Sequence, residues 1–183
     1  MPKLTQRPRE LSKRTIQGWI DEHIPYRVES LTRAILGTFR SGAERDAALV
    51  HARWCSELLG LSKSKGKLKT DEDYFSLDGG VTSDAVKAKD LGGENVDPQK
   101  LRHRQRKILL TLIARADKAV AHPTCAKSGR MNSAKKQSAY DLETRHALQE
   151  GSRILLDLLN KNIGANHHVI FGAAQITSRE AKS

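Results

Sequence analysis

Apolar residues recur at helical spacing along most of this chain, and prolines and glycines divide them into segments. Ile16, Trp19, Ile20 and Ile24 form a one-sided stripe that predicts a helix from about 12 to 24, capped by Ser12 and ended by Pro25. Four further long helices follow from the same spacing: one marked by Val28, Leu31, Ile35 and Phe39, then about 43–59 with Gly60 as its stop, 98–122 and 137–162. A short helix is predicted at about 83–91. The chain therefore favours an all-α fold.

Two kinds of segment lack this spacing. Residues 62–97 are predicted to be a long polar insertion that begins with a flexible basic run at 62–69, and 1–11 and 172–183 are predicted to be loose termini. No stretch of any length alternates with a period of two, so the one candidate strand is Val169–Phe171, which forms either a short strand or an extended tail packed on the helices. We expect a single domain, 1–183, arranged as an up-and-down helical bundle of about five helices with a long loop insertion.

The third predicted helix carries the residues with the clearest core assignment. Ala47, Val50, Trp54 and Leu58 line one face, which places Trp54 in the core. Cys55 is expected to be a small buried group, because no base is placed beside it by the sequence. Together with Cys125 it makes two cysteines, too few for a disulfide framework, so a reducing cytoplasm is the expected location.

The net charge of +11 and the pI of about 9.9 predict attraction to polyanions, with RNA or DNA first and an acidic protein partner second. No apolar leader or membrane-spanning run is visible in the sequence, so we expect no membrane partner. The basic half of the helix at 98–122 contains no aromatic residue, which favours phosphate contact over base stacking. The candidate nucleic-acid-binding residues are Lys100, Arg102, Arg104, Arg106 and Lys107.

Polar groups that are suited to RNA cleavage close the apolar run of the same helix. Arg115 and His122 are seven residues apart and so lie on nearly one face, and Pro123 places the histidine at a helix end. A histidine can transfer the protons and an arginine can stabilise the phosphorane charge, with Asp117 and Lys118 in support. The alternative is structural, because a histidine before a proline also caps helix carbonyls and an arginine also serves as a solvated charge.

The segment from Arg115 to Thr124, with its Asp-Lys-x-x-Ala-His pattern, resembles the arginine-to-histidine motif of the HEPN superfamily. The resemblance implies a helical-bundle homodimer that acts as a metal-independent endoribonuclease without a cofactor. Its catalytic residues would be Arg115, Asp117, Lys118 and His122. The basic half of the helix and the run at 62–69 would guide RNA. The resemblance also implies a role in antiviral defence or a toxin–antitoxin pair, with an antitoxin or a nucleotidyltransferase-type partner. In such a bundle Glu143, Arg145 and His146 of the last helix are placed to face the motif.

One position departs from the family pattern. Asn, Asp or His directly follows the arginine in the commonest form, whereas Ala116 stands there in this chain. Two alternatives remain: an active enzyme with a longer motif, or an inactive helical module that binds RNA or a protein partner. No metal site is expected, because His122 with Cys125 and the pair His167–His168 lack further ligands at a diagnostic spacing.

Overall fold

Four helices of more than ten residues form a bundle around aliphatic side chains. The structure is a computed structural model that describes residues 11–39, 41–70, 76–77, 80–81, 86–121 and 134–172. Within them the long helices are α2 (Ile24–Leu36), α3 (Gly42–Leu58), α4 (His103–Ala121) and α5 (Ala134–Leu159). Each of α2, α3 and α4 packs against α5, and α3 also packs against α2 and α4. The predicted all-α class and helical bundle are confirmed.

The chain enters the bundle through a helix that does not end at Pro25. Ser12 caps α1 (Lys13–Gly18) by accepting a hydrogen bond from the Thr15 amide, as predicted. A π-helical turn, Trp19–His23, then leads directly into α2. Pro25 lies in the first turn of α2, where no backbone donor is needed, so it is accommodated. The prediction that Pro25 ends the helix is therefore wrong.

Helix α3 has nearly the predicted bounds but a rotated core face. Ser41 caps its start, and Gly60 follows its end with a φ of 71°, a conformation that glycine adopts readily. The buried side is lined by Ala48, Leu49, Ala52, Cys55, Ser56 and Leu58, whereas Ala47 is exposed and Val50 is 43% exposed. The predicted stripe was thus about one residue, or 100°, out of register. Trp54 consequently lies at the edge of the core and is only partly buried.

The predicted insertion contains regular structure that periodicity did not reveal. Strands β1 (Leu61–Ser64) and β2 (Lys67–Thr70) form an antiparallel hairpin against α4, so the expectation of a flexible run at 62–69 is wrong. Lys65 and Gly66 form the turn with φ values of 49° and 72°, the positive pair that a tight hairpin needs. Two two-residue strands, β3 (Ser76–Leu77) and β4 (Gly80–Val81), pair further on.

The segment before α4 is docked on the carboxyl-terminal end of the bundle. Ala88 and Leu91 of a short 3-10 helix, Ala88–Leu91, are completely buried. The Asn166 amide donates to the Gly92 carbonyl at 2.7 Å, and His167 Nε2 lies 2.6 Å from the Leu91 carbonyl. The predicted short helix is thus a single 3-10 turn within the described residues, and the later part of the insertion belongs to the core.

The predicted helix at 98–122 is divided in two. Asp97 caps a 3-10 turn, Pro98–Lys100, and α4 begins only at His103 because Leu101 is extended (φ −79°, ψ 144°). The Gln105 side chain then accepts a hydrogen bond from the Arg102 amide at 3.0 Å and so closes the start of α4. No helix in the described residues is both long and apolar enough to span a bilayer.

Beyond α5 the chain continues through a π-helical turn, Asn160–Gly164, and α6 (Ala165–His167). Val169–Phe171 is not a strand; it is a tail packed on the bundle, the second of the two predicted alternatives. Phe171 is 3% exposed, and its amide donates to Asn160 Oδ1 at 2.7 Å. Of the two predicted termini, 1–10 and 173–183 lie outside the described residues.

Candidate nucleic-acid interface

The side of α4 that faces away from the core is basic over most of its length. Leu109, Leu112 and Ala116 are completely buried and mark the core side. On the opposite side stand Arg104, Lys107, Thr111, Ala114 and Lys118, whose spacing places them in one stripe. The three charged members of this stripe, Arg104, Lys107 and Lys118, are exposed. The stripe from Arg104 to Lys118 is about 21 Å long at 1.5 Å per residue.

A second basic surface is provided by the hairpin beside α4. The strand register pairs Ser62 with Lys69 and Ser64 with Lys67, and directly paired residues share a face of the sheet. The other face holds Leu61, which is 1% exposed, and Lys63, whose ammonium reaches Asp117 of α4. Lys67 and Lys69 therefore face away from the core, and Lys65 is exposed at the turn.

Asp117 ties three elements together. Its carboxylate oxygens lie 3.4 Å from Arg53 Nη1 of α3 and 3.4 Å from Lys63 Nζ of β1. Arg53 also donates from Nε to Glu57 at 2.9 Å. Asp117 is the one acidic residue in the sequences of α4 and of the hairpin, and two cations neutralise it.

Arg115 lies on the opposite flank of α4 and faces α5. Its guanidinium Nη2 donates to the Glu143 carboxylate, and its side chain is only 13% exposed. Of the three α5 residues expected to face the motif, Glu143 does so, whereas Arg145 lies beside Arg45 and the end of α2. An arginine with this partner is a structural element of the α4–α5 contact, and it contacts phosphate only when the carboxylate is displaced.

Of the four predicted catalytic residues, the structure describes Arg115, Asp117 and Lys118, and these three side chains do not converge on one site. Positions 115 and 117 are rotated by about 200° around the helix, so Ala116 points into the core while its two neighbours face α5 and α3. Lys118 is exposed on the basic stripe. His122 lies outside the described residues, as does Cys125. Within the described residues no group of three or more His, Cys, Asp or Glu side chains is arranged to hold a metal ion.

Four of the five predicted nucleic-acid-binding residues are exposed: Lys100, Arg102, Arg104 and Lys107. Arg106 is half-buried. The run at 62–69 was expected to guide RNA as a flexible charge run, so its lysines were not assigned to a folded surface. The signals for a hairpin were weak: a Lys65-Gly66 turn, with Leu61 four residues before it and Leu68 two residues after it.

Both tryptophans of the chain lie together at the junction of the first helices with α3. The Trp19 and Trp54 rings stack at 5.4 Å with an interplanar angle of 7°, and the Arg27 guanidinium lies 4.0 Å from the Trp54 ring centre. Nearby, burial and then the Arg27 charge lower the pKa of His51. Burial raises the pKa of Cys55 to about 12, so the predicted inert cysteine is confirmed as fully buried.

Comparison of this chain with known protein families, with curated proteins and with solved structures finds no match.

Proposed function

We propose that this protein binds RNA through a basic face made by the hairpin and α4, consisting of Lys65, Lys67, Lys69, Arg104, Lys107 and Lys118. One observation carries the proposal. The two adjacent elements hold a single carboxylate, Asp117, and two cations already neutralise it. The exposed lysines and arginines of the face are thus available to a polyanion.

The chemistry of the face favours phosphate over base recognition. Aromatic residues are absent from the sequences of both elements, so bases have no stacking platform there. A stripe of about 21 Å reaches several consecutive phosphates of one strand. Binding through such contacts depends strongly on salt and weakly on sequence. The cysteine content predicts a reducing compartment, and a cytoplasmic location is part of the proposal.

Fluorescence anisotropy with a labelled single-stranded RNA, measured over a series of NaCl concentrations, tests the proposal. The double variant Lys67→Gln/Lys69→Gln should weaken binding and reduce the slope of log Kd against log salt by about 0.7 per lost contact. Lys161→Gln removes one positive charge from an exposed position on the π-helical turn after α5 and is the control. Equal slopes for the double variant and the control would refute the assignment of the face.

A metal-independent endoribonuclease of HEPN type is the second candidate. The observation that favours it is the position of Arg115, which is held by Glu143 on the α5 flank of a helical bundle and precedes His122 by seven residues in the sequence. In this proposal His122 transfers protons and Arg115 stabilises phosphate, with Asp117 and Lys118 in support. A homodimer, and an antitoxin or nucleotidyltransferase-type partner in a defence or toxin–antitoxin context, belong to this candidate as well.

The second candidate is tested by incubating the protein with RNA in the presence of a chelator. Glu143→Gln should increase cleavage, because it removes the carboxylate charge that competes with phosphate for the Arg115 guanidinium, and His122→Ala should abolish it. If the wild type and His122→Ala bind RNA and give equal amounts of cleavage product, the catalytic assignment is refuted. The RNA-binding function would be unaffected by that result.

A further inference from the structure

A cavity of about 430 Å³ lies where the end of α2, the connection to α3 and the middle of α5 meet. Its volume falls within the range of about 300–1,000 Å³ that is typical of small-molecule sites. Phe39 and Ser41 line it from the connection, Arg45 from α3, and Arg145 and Gln149 from α5. Among the described residues that line it, two are arginines and none is acidic.

Both guanidinium groups have unused donor capacity. Nε of Arg45 is buried and has no hydrogen-bond partner, although a buried polar atom normally has one. Arg45 forms two long ion pairs, with Asp46 at 3.6 Å from Nε and with Asp141 at 3.7 Å from Nη1, and neither is close enough to be a hydrogen bond. Arg145 is exposed, and no ion pair or hydrogen bond engages it within the described residues.

The walls between these donors are held in place by packing and capping. The Gln149 amide donates to the Ile35 carbonyl at 3.0 Å and so fixes α5 against the end of α2. Ser41 caps α3 by accepting from the Glu44 amide at 3.2 Å, which orients the first turn of the helix beside the cavity. Arg45 is therefore presented from a fixed helix, with the favourable end of the α3 dipole nearby.

We propose that this cavity binds a phosphate group, with Arg45 and Arg145 donating to its oxygens. Two guanidinium forks around one concave site match a phosphomonoester, which carries a charge of about −1.5 to −2 at neutral pH, better than a singly charged internal phosphodiester. The inference rests on the proposed RNA-binding function and deepens it: the phosphate is a terminal phosphate of the bound RNA. A small phosphorylated molecule has the same chemistry and is a separate outcome of the test.

The first measurement compares short single-stranded RNAs that differ only in their ends: 5′-phosphate, 3′-phosphate and hydroxyl at both ends. We expect the wild type to bind one phosphorylated RNA about tenfold more tightly than the hydroxyl-ended RNA, the value of one charge-assisted contact. Arg145→Gln, at an exposed position where folding is not at risk, should remove this preference and leave hydroxyl-ended RNA binding unchanged. Lys67→Gln is the matched control: it should weaken binding of all three RNAs equally and keep the preference.

The second measurement does not depend on RNA. Inorganic phosphate should raise the Tm of the wild type above that in chloride of equal ionic strength, and it should not do so for Arg145→Gln. A phosphate-dependent Tm without any end preference supports the site with a small phosphorylated molecule as its ligand. Equal binding of all three RNAs with no phosphate effect on Tm overturns the site and leaves RNA binding by the basic face intact. If no RNA binds at all, the proposed function fails, and the Tm series alone decides the cavity.

Discussion

Replacing Asp117 by asparagine should weaken the fold and strengthen RNA binding. The substitution removes the carboxylate that joins Arg53 and Lys63, each at 3.4 Å. All three side chains are about one-third exposed, so solvent screens both pairs. Exposed pairs are each worth about 0.2–1 kcal/mol, so the loss of both should lower the free energy of unfolding by roughly 0.4–2 kcal/mol. For a chain of this length such a loss lowers Tm by about 1–8 °C.

The effect on binding has the opposite sign, because the one negative charge of the two basic elements disappears. A unit charge about 10 Å from a phosphate contributes about 0.4 kcal/mol in water, before screening by salt. Summed over two or three bound phosphates, the gain is roughly 1 kcal/mol, or a two- to fivefold decrease in Kd at low salt. Two released cations should also steepen the salt dependence of Kd.

Anisotropy titrations of the wild type, Asp117→Asn and Asp157→Asn at low salt measure this effect. Asp157 is an exposed carboxylate on α5, so its substitution changes net charge by the same amount outside the basic face. The reasoning is refuted if Asp117→Asn binds RNA no more tightly than Asp157→Asn. A loss of binding would instead mean that Asp117 orients a cation that the RNA requires.

Three further predictions concern the bundle itself. Gly151→Ala should lower the free energy of unfolding by about 1–3 kcal/mol in urea titrations despite the better helix propensity of alanine, because the added Cβ would lie 2.5 Å from Leu112 Cδ2. The control is Gly18→Ala, whose added Cβ has nothing within 4 Å, and it should leave the free energy of unfolding unchanged or raise it. In a Cys125→Ser background, the Cys55 thiol should not react with a thiol reagent at pH 8 until urea unfolds the protein, since burial raises the pKa of this thiol to about 12. Reaction of the folded protein at the rate of the unfolded chain would contradict the burial of Cys55. The pKa of His51 is lowered in the folded protein, so the unfolded chain binds the proton first as pH falls, and the free energy of unfolding should decrease as pH drops through the usual value of 6.5. A series of Tm measurements from pH 8 to 5 should show a weaker pH dependence for His51→Gln than for the wild type. Parallel curves would exclude this histidine as a cause of the pH dependence.

The parts of the fold that sequence reasoning predicted are those that local chemistry determines. Ser12 and Gly60 mark helix ends because capping and positive φ depend on the residue itself. The helix end predicted at Pro25 was wrong because the preceding π-turn places this proline in the first turn of the next helix. No local sequence pattern predicts that π-turn. The hairpin was missed because its strands have four residues each and its outward lysines resemble a solvated charge run.

In the candidate site, too, the sequence predicts the features set by local spacing but not those set by tertiary contacts. The spacing of Leu109, Leu112 and Ala116 is enough to place position 116 in the core and to separate Arg115 from Asp117 around the helix. It cannot identify their partners, because Glu143, Arg53 and Lys63 come from three other elements and depend on tertiary packing. The cavity of Arg45 and Arg145 joins residues 100 positions apart and was equally out of reach of periodicity.

The docking of residues 91–94 on the end of α5 connects two distant parts of the chain. The Glu94 amide donates to the Asn162 carbonyl, and Gly93 lies so close to that carbonyl that no side chain fits. The short path from Gly93 to His103 means that the carboxyl-terminal turns of the bundle set where α4 starts. Removing the chain from residue 160 onward would therefore loosen the start of the helix that carries the basic stripe, although that helix lies earlier in the sequence. The turns at Asn160–Gly164 and Ala165–His167 thus support the segment that leads into the helix with the basic stripe.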